Sequence, residues 1–192
     1  MEVKPDSIIL DATAAYRGIW DDNGKSAEEI LFIDIETELD IKPDLLMDCT
    51  NTDFPDGRFR QVFFDPPHRY GHNKNKGINQ TPSKKLQKEK WGNTGSYYGF
   101  DKYKTKRGLL DFIYRAQQEF YRITDEHGVL WLKWSEPSIK THEVIKLFTN
   151  WKQLMKFEVA YQGRVSKNHC YWIMFIKNSE AAAKQTELKV KK

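Results

Sequence analysis

Four short apolar runs, each closing on a carboxylate, constrain this chain more than any other feature. They are Ser7–Ala12 (SIILDA), Ile30–Glu36 (ILFIDIE), Asp44–Asp48 (DLLMD) and Arg60–Asp65 (RQVFFD). Continuous rather than alternating apolar runs mark strands covered on both faces, the pattern of a parallel sheet. The fourth run stops at Pro66-Pro67, because proline donates no ladder hydrogen bond. Further on, Gly108–Ile123 spaces Leu109, Leu110, Ile113, Phe120 and Ile123 as a helix, and Val129–Trp134 (VLWLKW) reads as a fifth strand after His127-Gly128. Ser138–Trp151 reads as a second helix with Ile139, Val144, Ile145 and Phe148 inward. Two strands follow, Leu154–Tyr161 and His169–Ile176, and the chain ends in a polar tail from Asn178. Strands alternating with helices, with a strand pair last, predict an α/β sandwich around a mostly parallel sheet. At 192 residues the chain has room for one such domain and its core.

Ligands of open α/β sheets lie at the carboxyl ends of the strands, near the point where strand order reverses. Here those ends read Asp11, Asp34 or Glu36, Asp48 and Asp65. A row of acids along one sheet edge favours a ligand with hydroxyls, amines or positive charge. The sharpest local signal is Asp65-Pro66-Pro67-His68. The two prolines fix φ and restrict the residue before each of them, so Asp65 and the Pro66 carbonyl are held rigidly at the edge. A carboxylate and a carbonyl together accept both hydrogens of an exocyclic amine. The imidazole at the fourth position can stack on a base, and it can carry charge.

Charge is distributed unevenly. Residues 1–68 hold 6 Lys+Arg against 16 Asp+Glu, whereas residues 69–107 hold 11 basic and 2 acidic side chains, within a chain of net charge +4. That basic block is poor in aliphatic residues and rich in Gly, Asn, Lys and Ser, so most of it forms no core element. Its interleaved Tyr70, Trp91, Tyr97, Tyr98, Phe100 and Tyr103 can stack on bases while its lysines meet phosphates. Residues 69–107 are therefore expected to form a mobile, substrate-binding insertion in a nucleic-acid-binding protein. The candidate contacts are Lys74, Lys76, Lys84, Lys85, Lys88, Lys90, Trp91, Tyr97, Tyr98, Lys104, Lys106 and Arg107.

Several classes fall away. No run approaches the roughly 18 uncharged apolar residues of a membrane helix. The start, MEVKPDSIIL, has neither a basic nor an apolar leader region, so a cytoplasmic location is expected. Cys49 and Cys170 are too few for a disulfide framework. His169 and Cys170 lack partners at zinc spacing, so no metal is expected.

Asp65–His68 resembles the D-P-P-Y-type catalytic motif of class I S-adenosylmethionine-dependent amino methyltransferases, which modify adenine N6 or cytosine N4 in DNA. Ile9–Trp20 (ILDATAAYRGIW), Phe63–His68 (FFDPPH), Val129–Glu136 (VLWLKWSE) and His169–Lys177 (HCYWIMFIK) are similar to the small stand-alone members from viruses and mobile elements. The resemblance spans residues 7–177, and it implies a Rossmann-like methyltransferase domain over 1–177. The implied architecture is a seven-stranded, mostly parallel sheet with an antiparallel last strand and helices on both faces, followed by the tail 178–192.

The resemblance also implies roles. Asp65, Pro66, Pro67 and His68 would hold the target amine. Asp11, Ala12, Thr13, Ala14, Ala15 and Arg17 would form the loop that takes the methionine part of S-adenosyl-L-methionine. Asp34, or Glu36 as second choice, would hydrogen-bond the ribose, and Asp48 with the Cys49 backbone would meet the adenine. Arg17 has a second reading as an ion-pair partner of Asp21 or Asp22. Ala15 stands where the group has glycine. The implied activity is methyl transfer to adenine N6 in DNA, with cytosine N4 close behind. The alternatives are an RNA base N-methyltransferase acting on guanine N2 or adenine N6, and a catalytically silent nucleic-acid-binding partner. Both a monomer and a homodimer are compatible with the sequence.

Overall fold

A parallel sheet edge carries all four of the predicted acids. The computed structural model describes residues 4, 6–37, 39–71, 103–159 and 169–178. Its strands are β1 (Ile9–Asp11), β2 (Ile30–Asp34), β3 (Leu45–Leu46), β4 (Phe59–Phe64), β5 (Thr124–Ser135), β6 (Trp151–Glu158) and β7 (Cys170–Lys177). Its helices are α1 (Asp22–Ser26), α2 (Lys106–Ile123) and α3 (Thr141–Ile145). The sheet runs β3-β2-β1-β4-β5-β7-β6. Strands β1 to β5 pair in parallel, and β7 is antiparallel to both β5 and β6. This is a seven-stranded, mostly parallel Rossmann-like sheet with antiparallel pairing at its β7 end.

Side chains alternate across the sheet with period two. One face presents Leu10, Leu31, Ile33, Val62, Phe64, Leu130, Leu132, Trp134, Ile173 and Phe175, all essentially inaccessible to water. The amphipathic α2 covers it with Leu109, Phe112, Ile113, Ala116, Phe120 and Ile123. Thr105 caps α2 by accepting from the Gly108 N–H. Phe148, which follows α3, stacks on Phe175 of the same face, with centroids 4.8 Å apart. The opposite face carries Phe63, Trp131 and Trp172, whose rings lie within 6.4 Å of one another. Trp20 packs edge-on against Phe63 at 4.7 Å.

The observed bounds correct the sequence reading in three places. Strand β5 begins at Thr124, not Val129, and pairs with Phe59 through a register shift in β4. Gly128 is therefore not a helix terminator: a Cβ there would come within 2.9 Å of the Arg60 carbonyl oxygen, so glycine permits the close approach of two strands. The second helix spans only Thr141–Ile145 rather than Ser138–Trp151. Beyond it, Leu147 and Phe148 donate to Val144 and Ile145 in tight three-residue turns. Trp151, anchored by its indole N–H to Gln117, opens β6 three residues before the predicted start.

Candidate active site

Strand order reverses between β1 and β4, and the carboxyl ends of these neighbours bound a crevice. Backbone and side chain close its floor: Ala12 N–H donates to the Phe63 carbonyl at 2.9 Å, and Asp65 N–H donates to Thr13 Oγ1 at 2.9 Å. Asp65 therefore sits directly against the Ala12–Arg17 loop, and the two motifs singled out in the sequence form one site.

The Asp65 carboxylate is gripped at both oxygens. His68 Nε2 donates to Oδ1 at 3.2 Å, and Lys133 Nζ donates to Oδ2 at 2.8 Å. Burial by itself would raise the carboxyl's pKa. The hydrogen bonds and positive character of His68 and Lys133 outweigh that, and the group sits below the usual carboxylate range. The rest of the His68 ring is anchored edge-on to the fully buried Trp134 at 5.2 Å. Pro66 is buried beneath the site and Pro67 is half-buried. Lys133 is the functional side chain that sequence reasoning missed. The apolar context of VLWLKW points to sheet packing, and only its place at the carboxyl end of β5 hints otherwise.

Asp11, at the end of β1, is buried at 1% exposure. Its carboxylate accepts the Trp20 indole N–H at 2.7 Å and the Thr13 N–H at 3.2 Å. Burial pushes its pKa up to about 7, against those two hydrogen bonds, and the charges of Asp65 and Asp34 add to the rise. The negative charges of Asp65 and Asp34 make ionisation of Asp11 costlier, and an acidic sheet edge of this kind favours a cation.

The loop Ala12–Arg17 is shaped by Asp34. Asp34 Oδ2 accepts the Ala15 N–H and Oδ1 accepts the Glu36 N–H, both at 2.9 Å. Ala15 (φ 41°) and Arg17 (φ 56°) are left-handed, a region that favours glycine. The substitution noted at Ala15 thus falls at a position whose backbone explains the group's glycine. Arg17 is turned outward from the crevice. Its guanidinium lies 3.8 Å from the Phe32 ring centroid and donates to the carbonyls of Lys25 and Lys42. Its acidic partner is Asp44 at 3.6 Å rather than Asp21 or Asp22. Asp21 instead caps α1 through the Gly24 N–H.

Beyond β3, Asp48 is exposed and Cys49 is buried. Asp48 Oδ1 accepts from both the N–H and the hydroxyl of Thr50, an Asx turn that orients the loop. A second support comes from α2: Glu119 Oε1 accepts the Thr52 N–H at 2.9 Å and the Thr52 hydroxyl at 2.5 Å. Arg122 holds Glu119 in turn and reaches the carbonyls of Thr52 and Phe54.

Of the predicted nucleic-acid contacts, Lys74, Lys76, Lys84, Lys85, Lys88, Lys90, Trp91, Tyr97 and Tyr98 lie outside the described residues. Lys104 and Arg107 are exposed, whereas Lys106 is committed to an ion pair with Glu143. The two ends of the basic block meet: Gly71 N–H donates to the Tyr103 carbonyl at 2.8 Å. Gly71 and Tyr103, which flank residues 72–102, therefore lie together three residues after His68 in the chain. His169, paired with Glu158 at 2.7 Å and stacked on Tyr171, has a structural role at the same edge. Among the described residues no helix is long and apolar enough to cross a membrane, and no His, Cys, Asp and Glu side chains gather as metal ligands do.

The strand order and its switch point define a Rossmann-like α/β architecture. No protein-family model matches the chain, and no curated protein does. Among solved structures, a protein from Sulfolobus solfataricus described as a type 11 methyltransferase is similar in fold, with TM-score 0.49, 10% identity, 90% of this chain and 85% of that chain covered. The PH0226 protein from Pyrococcus horikoshii gives TM-score 0.48, 10% identity and coverages of 88% and 81%. An rRNA methylase from Streptococcus thermophilus gives TM-score 0.45, 11% identity and coverages of 90% and 87%.

Proposed function

We propose that this protein is an S-adenosyl-L-methionine-dependent methyltransferase acting on the exocyclic amine of a nucleobase, with adenine N6 in DNA as the substrate. The observation that carries the reading is Asp65: an ionised carboxylate, stiffened by two prolines, fixed by Thr13 to the loop predicted to take the cofactor. The residues present fit such a cofactor. Asp11, Asp34 and Asp65 supply negative charge for a cation, and Asp34 holds the left-handed Ala15 through its N–H. Asp11, Thr13 and Ala15 would hold the methionine part, Asp34 or Glu36 the ribose hydroxyls, and Asp48 with Cys49 the adenine edge.

When bound, the cofactor supplies an electrophilic methyl whose sulfur keeps the C–S electron pair, so that the net change is sulfonium plus amine to thioether, N-methylamine and a proton. The work of the chain is alignment. Asp65 accepts one amine hydrogen and the Pro66 carbonyl the other, which draws the nitrogen lone pair away from the ring. The proton released after transfer leaves through Asp65 to solvent. A base inside a duplex cannot reach this crevice, so it must flip out, at a cost of a few kcal/mol. The basic block would grip the strand from which the base comes, a role supported by its excess of lysines and by the Gly71–Tyr103 hydrogen bond that brings its flanks together.

The test is incubation with methyl-labelled cofactor and DNA or RNA, followed by digestion to nucleosides. N6-methyladenine from DNA is the expected product. Label only in RNA moves the assignment to the RNA alternative, and label in neither, with cofactor bound, leaves a silent binding partner.

A further inference from the structure

The proposed roles account for Asp11, Asp34 and Asp65 but not for the lysine that faces them. Lys133 lies on β5, beside the carboxyl end of β4, with Nζ 2.8 Å from Asp65 Oδ2. Both side chains are about three-quarters covered, at 26% and 23% exposure. On its own face Lys133 stands between Trp131 along the strand and Trp172 across it in β7. Apolar side chains would pack that neighbourhood better than an ammonium that must be desolvated. Its charge is therefore explained by the carboxylate and not by the packing.

The other charged and titratable groups around Asp65 divide into two sets. His68, from the loop after β4, is the second donor. Asp11 from β1 is a like charge within electrostatic range. Cys170 at the start of β7 senses both Lys133 and Asp65, with Glu158 of β6 beyond it. Without Lys133, Asp65 would keep only the His68 contact against burial and the repulsion of Asp11.

We propose that Lys133 is a positioning residue for methyl transfer, its ammonium holding the Asp65 carboxylate charged and turned toward the incoming amine. The proposal rests on the reading of Asp65 as the acceptor of that amine. Protonation of Asp65 would turn one oxygen into an O–H donor and leave the other a weaker, neutral acceptor, so the ionised form takes the substrate hydrogen more strongly. The lysine makes that form the resident one. His68 alone has a single contact with Oδ1, which leaves the carboxyl plane free to rotate; contacts to both oxygens fix it.

The test compares Lys133→Met, Lys133→Gln and Lys133→Arg with the unaltered protein by two measurements. The first is the pH dependence of kcat for methyl transfer to DNA. The second is the 13C carboxyl titration of Asp65 by NMR, its signal identified by loss in Asp65→Asn. Lys133→Met should move the acid limb of kcat, and the Asp65 titration with it, upward by about one pH unit or more. Lys133→Gln, which keeps a donor without the charge, should give an intermediate shift. Lys133→Arg should restore the original limb. Superimposable profiles and titrations in folded Lys133→Met or Lys133→Gln protein overturn the proposal. If the unaltered protein binds cofactor but methylates neither DNA nor RNA, the functional reading fails instead. The NMR titration then still decides whether Lys133 controls Asp65.

Discussion

The indole N–H of Trp20 donates to Asp11 Oδ2 at 2.7 Å, from nine residues further along the chain. This bond ties the loop between β1 and α1 to a fully buried acid, whose other carboxylate oxygen accepts the Thr13 N–H. Trp20→Phe keeps most of the ring against Phe63 and Phe32 but removes the donor. Leaving a buried acceptor without its partner costs about 1–3 kcal/mol, so urea unfolding of Trp20→Phe should show an unfolding free energy lower by that amount, with a correspondingly lower midpoint.

Asp11 also sets a pH dependence. Its pKa is about 7 in the folded protein against 3.8 ordinarily, so the folded state favours the protonated form. Its contribution to stability is present in full below pH 3.8 and is lost as pH rises through about 7. Asp65 and Glu136, both held low, act in the opposite direction and lose their contribution on acidification. The difference between the unaltered protein and Asp11→Asn isolates the first effect. Relative to Asp11→Asn, the unaltered protein should lose stability between about pH 4 and 8 in denaturant titrations, and a flat difference would contradict the assignment.

How much of this was legible beforehand depends on the range of the interaction. The acids at the strand ends were readable because continuous apolar runs and Pro66-Pro67 fix where each strand stops. Helix α2 was readable because Leu109, Ile113, Phe120 and Ile123 keep helical spacing, and Thr105 extends it two residues earlier by capping. The early start of β5 was hidden because Gly128 has the composition of a terminator, and only the nearness of the Arg60 carbonyl shows why glycine is there. The Lys133–Asp65 pair joins residues 68 positions apart, and Thr52–Glu119 joins residues 67 apart. Neither carries any periodic or motif signal. Arg17 shows the same limit: the motif points to a ligand, and its contacts with Phe32 and Asp44 carry no signal in the sequence.

Ala15 offers a direct measure of loop strain. A left-handed alanine costs about 1–2 kcal/mol that glycine avoids, while glycine adds about 0.4–1 kcal/mol of unfolded-chain entropy. Ala15→Gly should therefore be neutral or more stable by up to about 1 kcal/mol. Ala15→Val, β-branched at φ 41°, should lower the melting temperature clearly. Thermal melts of the two variants test the assigned backbone, and their order reversed would contradict it.

Glu119 is the brace of the Asp48–Thr52 loop. It accepts twice from Thr52 and is held by Arg122, which keeps its carboxyl below the ordinary range. Glu119→Ala strands the Thr52 N–H and hydroxyl and takes one carboxylate from Arg122, which keeps Asp56 and the carbonyls of Thr52 and Phe54. The expected loss is about 2–3 kcal/mol of stability, measured by chemical denaturation. Because the loop carries Asp48 and Cys49, cofactor affinity measured by calorimetry should fall with it, while Glu119→Gln, which keeps an acceptor, should retain more of both.

The basic block makes the nucleic-acid proposal quantitative. Lys84, Lys85, Lys88 and Lys90 lie within a segment whose flanks are joined by Gly71 and Tyr103. Each lysine that meets a phosphate releases counterions, and its removal lowers the slope of log affinity against log salt by about one. Replacing all four by Ala should weaken DNA binding at low salt by at least about tenfold and flatten that slope, with cofactor affinity unchanged. Fluorescence anisotropy of a labelled duplex at several salt concentrations measures both quantities. An unchanged slope would place the phosphate contacts elsewhere, with exposed Lys104 and Arg107 at the entrance to α2 the next to be tested.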